Sequence, residues 1–405
     1  MERNELNKRG IGGEILEMLR KNIRNYAMYI ALAVIFIMFQ VLSKVLLGKG
    51  LFLTARNITN LINQTGYIAV MAVGMTLVLI ICQIDLSVGF AAGFLGACAA
   101  RLLAANVPML LVILIVLAMG ILIGLMQGTI IGKVGVPAFV TTLAGEFIFR
   151  GLLTLVTEAS GTIPITSDTF NALSNGFVPE LFTIGKYHGL TLLAGIIAIA
   201  LVFVMQIRKR RDMIRYHFEI SSLPLFLFKL AFFAALIGAL AIVLAGYKGI
   251  SWTMIIVVVI VSIYNFVLKN TRTGRYIYGM GGNMEAAALS GVNVKRTLIG
   301  VFASMGCMAA LGGILYTSRI NSATPTAGMG FELDAIASCY IAGVSTTGGI
   351  GNVVNSVVGA FVIMSLTNGL NLIGVGISYQ YLIKGIIFIC AVALDVRGRG
   401  KKAIG

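Results

Sequence analysis

The feature that most constrains this chain is a series of long apolar runs, broken by short polar segments, from residue 26 to residue 395. Hydrophobic residues make up 58% of the chain and charged residues 11%. A water-soluble fold of this composition would be covered with apolar surface, so the runs predict helices in a lipid bilayer. The first run begins near Tyr26 behind a polar segment and has no small-residue cleavage site, which argues against a signal peptide.

The distribution of positive charge predicts the topology. The net charge of +16 could indicate nucleic-acid binding, but most Lys and Arg residues fall in four blocks, at 3–24, 208–215, 269–296 and 397–402. The positive-inside rule places all four blocks on the cytoplasmic side. The loop 158–186 has one Lys and three acidic residues, which predicts an external position.

These marks predict an all-α polytopic membrane protein with about twelve transmembrane segments, some of them broken or re-entrant, and with both termini cytoplasmic. Segment 331–344 is too short to span as a regular helix, and 54–63 is either interfacial or part of the second span. The predicted spans are 26–47, 65–83, 86–105, 109–131, 136–157, 188–207, 225–246, 251–268, 297–318, 331–344, 353–374 and 378–395.

The domain organisation follows from these segments. Residues 1–25 form a cytoplasmic amphipathic segment, with a short surface helix predicted over 13–22. Residues 26–395 form the membrane domain, and 396–405 form a basic cytoplasmic tail.

The longest polar loop predicted on the cytoplasmic side, Lys269 to Arg296, contains an Ala-rich turn over 284–290 that follows a Gly-Gly-Asn sequence and is closed by Gly291. A helix this short is marginal by itself. The turn therefore either docks a partner or is a solvated loop that frays.

Two features predict close helix packing and a helix break. Glycines every fourth residue, from Gly120 to Gly132, let another helix approach one face of the span 109–131. Asp85 lies between two apolar runs, where an ionised group must face water or a partner. Its spacing favours a helix cap over a role in a polar pathway.

Two further polar groups lie within spans. Glu146 and Arg150 are four residues apart, so they either neutralise each other or line a polar route. A route for a neutral, hydroxyl-rich solute needs uncharged hydrogen-bonding groups and no deep charged site. The candidate residues of a substrate path are Asn63, Gln64, Gln83, Asp85, Ser87, Asn368 and Asn371.

Nothing in the sequence indicates catalysis. The segment Gly128 to Lys133 departs from the P-loop in spacing and lies in a span, so it is not a nucleotide site. The five Cys residues sit in apolar runs without regular spacing, so we expect packed thiols and neither a metal, nor a cofactor, nor a disulfide framework.

Six motifs stand in order along the chain: Ile84-Asp85-Leu86-Ser87-Val88-Gly89, residues 135–143 (GVPAFVTTL), 281–294 (GGNMEAAALSGVNV), 322–328 (SATPTAG), 331–337 (FELDAIA) and 348–352 (GGIGN). Together they resemble the ribose-type permeases of ABC importers, in the branched-chain amino acid/ribose group. The resemblance covers roughly residues 55–395.

The resemblance implies the roles of the loop 269–296 and of the partners. The loop is similar to the coupling loop that contacts a cytoplasmic ATPase. An external sugar-binding protein would deliver substrate, and a second permease copy would complete the path. The implied coupling residues are Gly282, Asn283, Glu285, Ala286, Ala287, Ser290 and Gly291.

One departure indicates a branch of the family. Region 208–268 contains an extra helical hairpin, which is similar to the longer xylose and multiple-monosaccharide permeases. We therefore expect a permease for xylose, galactose, arabinose or a similar monosaccharide in a bacterial inner membrane. The alternatives are a nucleoside or autoinducer permease of the same superfamily, and an ion-coupled secondary sugar transporter.

Overall fold

The computed structural model of this chain is predominantly helical. It describes residues 11–158, 160–216, 218 and 222–400, apart from the side chains of 11–27, 390–392 and 394–400. In chain order the elements are α1 Ile11–Leu47, α2 Ala55–Ile80, α3 Val88–Ala104, α4 Met109–Thr129 with a short π-helix Ile130–Val134, α5 Ala138–Thr157, β1 Ile163–Pro164, α6 Asp168–Asn175, β2 Thr183–Ile184, β3 Tyr187–His188, α7 Gly189–Arg215, α8 Leu223–Ala245, α9 Trp252–Asn270, α10 Arg272–Gly282, α11 Met284–Leu289, α12 Val294–Ile320, β4 Ser322–Ala323, α13 Phe331–Ile341, α14 Val353–Leu372 and α15 Ile377–Gly400.

Each of the twelve predicted spans coincides with one of these helices. Within the described ranges, nine helices are long and apolar enough to cross a membrane. Helix α3 and the segment Ile377–Ile389 of α15 are apolar but shorter. Helix α13 has only 11 residues, in agreement with the short run in the sequence. The prediction of a polytopic helical membrane protein is confirmed.

Two local predictions need correction, and one open alternative is decided. The basic segment 208–215, which the sequence placed after the span 188–207 as a loop, is helical, because α7 continues through it to Arg215. At 27 residues α7 is about 40 Å long, so its basic turns reach beyond a hydrocarbon core of about 30 Å. Residues 13–22 are helical but continuous with the first span in α1. Residues 55–63 belong to the second span, α2.

The described chain forms two compact units, and the first contains residues 11–30, 53–59 and 177–250. Helices α7 and α8 form an antiparallel pair in this unit. A Cβ built on Gly195 would lie 2.6 Å from Cβ of Ala241, so a glycine is needed where the two helices approach. Helix α9, which the sequence placed in the region of the extra hairpin, belongs to the second unit.

The second unit, residues 31–52, 60–176 and 251–400, is built around α2. The side chains from Ile68 to Ile81 are almost all buried. Helix α2 faces α12 at Gly74, faces α9 at Gly66, and faces α14 where Thr76 donates a hydrogen bond to Ser356 at 2.7 Å. A helix enclosed in this way has little contact with lipid.

Glycines set the contact between α4 and α12, as the sequence predicted. A Cβ on Gly120 would lie 2.4 Å from the Gly306 carbonyl oxygen, and one on Gly124 would lie 2.1 Å from the carbonyl oxygen of Phe302. Without side chains at these positions the two backbones pack directly. The contact is looser near Gly132, where a Cβ would lie 3.4 Å from its nearest atom, the Lys295 carbonyl oxygen.

A non-helical segment separates α12 from α13. After β4, which pairs antiparallel with β1, the segment 324–330 leads back to α3, where a Cβ on Gly93 would lie 2.2 Å from the Ala327 carbonyl oxygen. Gly328 and Gly330 have positive φ angles of 90° and 81°, which only glycine adopts easily. Helix α13 therefore starts beside the first turns of α3.

Candidate functional site

The polar loop 269–296 folds into two short helices, α10 and α11. Asn283 begins α11, and its Oδ1 accepts a hydrogen bond from the backbone N–H of Ala286 at 2.9 Å. Ser290 Oγ donates to the Ala286 carbonyl oxygen at 2.8 Å, and Gly291 follows with φ of 84°. The capped turn predicted from the sequence is therefore present.

The exposed surface of α11 differs from the prediction at one residue. Gly282, Asn283, Glu285, Ala286, Ser290 and Gly291 are exposed, whereas Ala287 is buried within the chain. Ala287 thus faces the protein's own core and is not available for close approach by a partner. Leu289, which the sequence analysis did not single out, is 90% exposed. The sequence signal for Leu289 was weak, because the loop also contains other large apolar residues such as Ile277 and Met284.

Part of this loop packs against two other segments, and we call this contact the joint. Its three segments are Ile80 to Cys82, Tyr278 to Gly281 in the loop, and Thr347 to Gly351. The Gly349 N–H donates to the Ile80 carbonyl oxygen at 2.9 Å. Tyr278 Oη donates to the Gly351 carbonyl oxygen at 2.7 Å. Cys82 Sγ donates to the Thr347 carbonyl oxygen at 3.1 Å. The joint connects the end of α2 and the Gly-rich segment 345–352 to α10.

Glycines make the joint close enough for these contacts. A Cβ on Gly281 would lie 1.8 Å from the Ile80 carbonyl oxygen and 2.6 Å from the Gly349 nitrogen. A Cβ on Gly348 would lie 2.1 Å from Cys82 Sγ. In contrast, Gly282 has no atom within 4 Å of such a position. Cys82 is exposed, unlike the packed thiol that its apolar surroundings predicted.

Asp85 caps the turn that immediately precedes α3, whose N-cap residue is Ser87. Its Oδ1 accepts hydrogen bonds from the Ser87 N–H at 2.9 Å and from Ser87 Oγ at 2.7 Å. Gln127 Nε2 in turn donates to Ser87 Oγ at 2.8 Å. These contacts agree with the capping interpretation and add Gln127, which the sequence analysis did not identify. Gln83 is half-buried nearby in the chain, and its Nε2 lies 3.5 Å from the Ile81 carbonyl oxygen.

The remaining path candidates lie near the other end of α2. Asn368 Nδ2 donates to Gln64 Oε1 at 3.4 Å, which joins α14 to α2. Gln380 Nε2 donates to Asn371 Oδ1 at 2.7 Å. Asn63 is 3% exposed, and its Oδ1 has no partner among the described residues. Since helices rise 1.5 Å per residue, Gln64 lies about 24 Å from the end of α2 at Ile80. The predicted path residues therefore form two separate groups.

Comparison with known families assigns this chain to one of them. Residues 57–392 match the family described as branched-chain amino acid transport system / permease component. The chain belongs to this family. It is a multi-pass membrane permease, and the resemblance noted from the motifs is confirmed.

The relatives cover most of the chain. The xylose transport system permease protein XylH of Haemophilus influenzae is 36% identical over 384 residues, which is 94% of this chain and 98% of that protein. The XylH of Escherichia coli (strain K12) is 35% identical over 85% of this chain and 86% of its own. The ribose import permease protein RbsC of Escherichia coli (strain K12) is 34% identical over 85% of this chain and 87% of its own. No solved structure matches the chain.

Proposed function

We propose that this chain is the permease subunit of an ATP-driven, binding-protein-dependent importer of a monosaccharide in a bacterial inner membrane. The family and the names of the relatives support a sugar substrate of the xylose or ribose type. One observation supports coupling between ATP hydrolysis and transport. The capped turn α11 exposes Leu289, and the preceding helix α10 contacts the membrane helices through the joint.

In this proposal a cytoplasmic ATPase binds α11. Leu289 enters an apolar groove on the ATPase, Glu285 makes a polar contact, and Ala286 and Ser290 allow close approach. Gly282, Asn283 and Gly291 shape the turn. Ala287 holds it against the chain's own core. Movement of α10 then acts on α2 and on the segment 345–352 through the joint.

The proposed topology has twelve segments, both termini inside and loop 269–296 in the cytoplasm. Loop 158–186 faces outwards, where a sugar-binding protein docks, and a second copy of the chain completes the path. Glu180 and Arg211 are both exposed and lie on opposite predicted sides. In a Cys-depleted chain, an impermeant thiol reagent added from outside should label Glu180→Cys and leave Arg211→Cys unmodified. The reverse pattern would refute this orientation.

The two groups of polar residues have different proposed roles. Asn63, Gln64, Asn368 and Asn371 form the outer part of the path, since their uncharged groups can exchange hydrogen bonds with sugar hydroxyls. Asp85, Ser87 and Gln83 hold the break before α3, and Asp85 acts mainly as its cap.

The docking experiment uses Leu289→Asp with Leu181→Asp as a matched control. Leu181 is also highly exposed, at 75%, but lies in the predicted external loop. We expect Leu289→Asp to lose co-purification of the ATPase and sugar uptake, and Leu181→Asp to keep co-purification of the ATPase. If Leu289→Asp keeps both, α11 is not the ATPase contact. Uptake by vesicles that lack the ATPase but carry an ion gradient would identify a secondary transporter instead.

A further inference from the structure

One face of α5 carries polar side chains at every fourth residue. We call Glu146, Arg150, Thr154 and Glu158, the residue that follows the last turn of α5, the α5 stripe. Glu146 is half-buried, and the other three are exposed. At 1.5 Å per residue the stripe is about 18 Å long. It runs along a helix that is apolar enough to cross a membrane.

Glu146 and Arg150 do not form an ion pair, contrary to one of the two predictions. Within the described part of the chain, the only ion pair is Lys384 with Asp334, at 2.9 Å. The Arg150 guanidinium instead lies over the ring of Phe90, 5.5 Å from its centroid. Arg150 thus remains an exposed cation on a membrane helix.

The position of Phe90 shows how far Arg150 lies from the end of the helix. Phe90 is near the start of α3, whereas Arg101, near the other end of α3, donates to the Val156 carbonyl oxygen at 2.8 Å. Phe90 and Arg101 are about 16 Å apart along α3. The guanidinium is therefore held away from the Val156 end and does not extend towards that surface. A charge at this depth must face water or a partner, because lipid does not solvate it.

A buried carboxyl lies at the inner end of the stripe. Glu332, in the first turn of α13, is 7% exposed, and its Oε2 has no hydrogen-bond partner among the described residues. Its Oε2 would lie 2.0 Å from a Cβ built on Gly89, the neighbour of Phe90. Glu146 is close enough for its carboxylate to repel that of Glu332. Glu332 therefore adds an unsatisfied acceptor beside the stripe.

We infer that the α5 stripe and Glu332 form a wall of the substrate path, with a monosaccharide subsite at Glu146, Arg150 and Glu332. The inference rests on the proposed function. Carboxyl groups accept hydrogen bonds from sugar hydroxyls and the guanidinium donates to them, which suits a neutral ligand rich in hydroxyl groups. This differs from the sequence expectation of an uncharged lining.

A small hydroxylated ligand fits better than the helix face of a second copy. The unpaired Glu332 oxygen is buried inside its own chain beside Gly89. In this inference a small molecule reaches it when the path opens, which the helix face of a second copy cannot do. A second copy would have to cover both the exposed charges and the neighbouring apolar face of α5, where Phe147 is 65% exposed. That arrangement would leave the Glu332 oxygen buried without a hydrogen-bond partner, which is unfavourable.

The experiment measures water access in the complete transporter, with ATPase and binding protein, in proteoliposomes. Arg150→Cys and Thr154→Cys are placed singly in a Cys-depleted chain, with Phe147→Cys as a control on the same helix. A charged methanethiosulfonate reagent should modify the two stripe positions at least about tenfold faster than Phe147→Cys, as expected for water against lipid. Saturating D-xylose or D-ribose should slow the reaction at Arg150→Cys.

A second variant tests the subsite. Glu332→Gln should lower sugar uptake at least about tenfold, since the amide side chain offers one hydrogen-bond acceptor fewer to the hydroxyl groups of the ligand. The ATPase should still co-purify, and Glu158→Gln, at the outer end, should have a smaller effect.

Three outcomes separate the alternatives. Equal modification of Arg150→Cys and Phe147→Cys would overturn the path. Unmodified Arg150→Cys that forms disulfides between copies would make the stripe a subunit interface. Fast, sugar-protected modification together with uptake independent of ATP would keep the path and overturn the proposed importer.

Discussion

Helices α2 and α7 are both long enough to cross a membrane, but their surroundings are opposite. Helix α2 is enclosed by other helices of its unit, and Ile68 to Ile81 are almost all buried. Helix α7 buries only Gly189, Thr191 and Gly195 in its own unit. Of the two, the less apolar helix is the buried one.

The difference follows from the solvent. A helix that faces lipid needs an apolar surface all round, whereas an enclosed helix can carry amides and hydroxyls that other helices satisfy. Helix α2 carries Asn60, Asn63, Gln64 and Thr76, whereas the membrane part of α7 is nearly all apolar. In this chain, therefore, the less apolar spans are the places to look for the substrate path.

The largest expected effect contrasts glycines from the two units. Gly124→Ala would place a Cβ 2.1 Å from the Phe302 carbonyl oxygen, whereas Gly238 on α8 has no atom within 4 Å. We expect Gly124→Ala to destabilise the permease by about 1–3 kcal/mol through overpacking. Gly238→Ala should be neutral. Thermal unfolding in detergent measures both, and equal melting temperatures would show that the α4–α12 contact can relax.

The next effect concerns the joint, at the end of α2. Gly281→Ala forces the Ile80 and Gly349 backbones apart, whereas the adjacent Gly282→Ala meets nothing. We expect Gly281→Ala to lower sugar uptake by about tenfold or more while the ATPase still co-purifies, because a backbone contact cannot shift cheaply. Stimulation of ATP hydrolysis by the sugar-loaded binding protein should fall in parallel. Normal stimulation in Gly281→Ala would remove the joint from the coupling route.

Local sequence signals predicted the parts of this structure that depend on neighbouring residues. Apolar runs gave the spans, Asn283 and Gly291 gave the limits of α11, and the spacing of Asp85 gave its capping role. The four-residue glycine repeat predicted a helix seam because it needs only one helical face. Each of these features is visible within a short stretch of chain.

The features that were missed depend on contacts between distant segments. Cys82 meets Thr347, 265 residues away, and nothing in either stretch indicates this. The burial of Ala287 and exposure of Leu289 depend on how α11 lies against the rest of the unit. The positive residues of 208–215 predicted a cytoplasmic position but not their helical structure. A polar helix end beyond the bilayer has the same low hydropathy as a loop.

The polar residues near the Ala55 end of α2, which include Asn368 and Asn371 of α14, give a smaller expected effect. Replacing Asn368 and Asn371 with Leu removes the partners of Gln64 and Gln380 and makes this part of the proposed path apolar. We expect sugar uptake to fall several-fold, in line with about 1–3 kcal/mol for each unsatisfied amide. ATP hydrolysis stimulated by the binding protein should be kept.

The single variants provide the control for this pair. Asn368 is buried against α2, whereas Asn371 is exposed, so Asn371→Leu should have the weaker effect. Parental uptake by the double variant would make both residues structural.

The smallest effect tests one hydrogen bond of the joint. Tyr278→Phe removes the donor to the Gly351 carbonyl oxygen, and Tyr276→Phe on the same helix removes an exposed hydroxyl. A single hydrogen bond contributes about 0.5–1.5 kcal/mol, so we expect a modest fall in stimulated ATP hydrolysis for Tyr278→Phe and none for Tyr276→Phe. Burial raises the pKa of Tyr278 above its ordinary value of 10.0. The hydroxyl therefore stays protonated and able to donate at neutral and mildly alkaline pH, and the difference between the two variants should not change with pH in that range. A difference that disappears on raising the pH by one or two units from neutral would mean that another titrating group controls the contact between α10 and the segment 345–352.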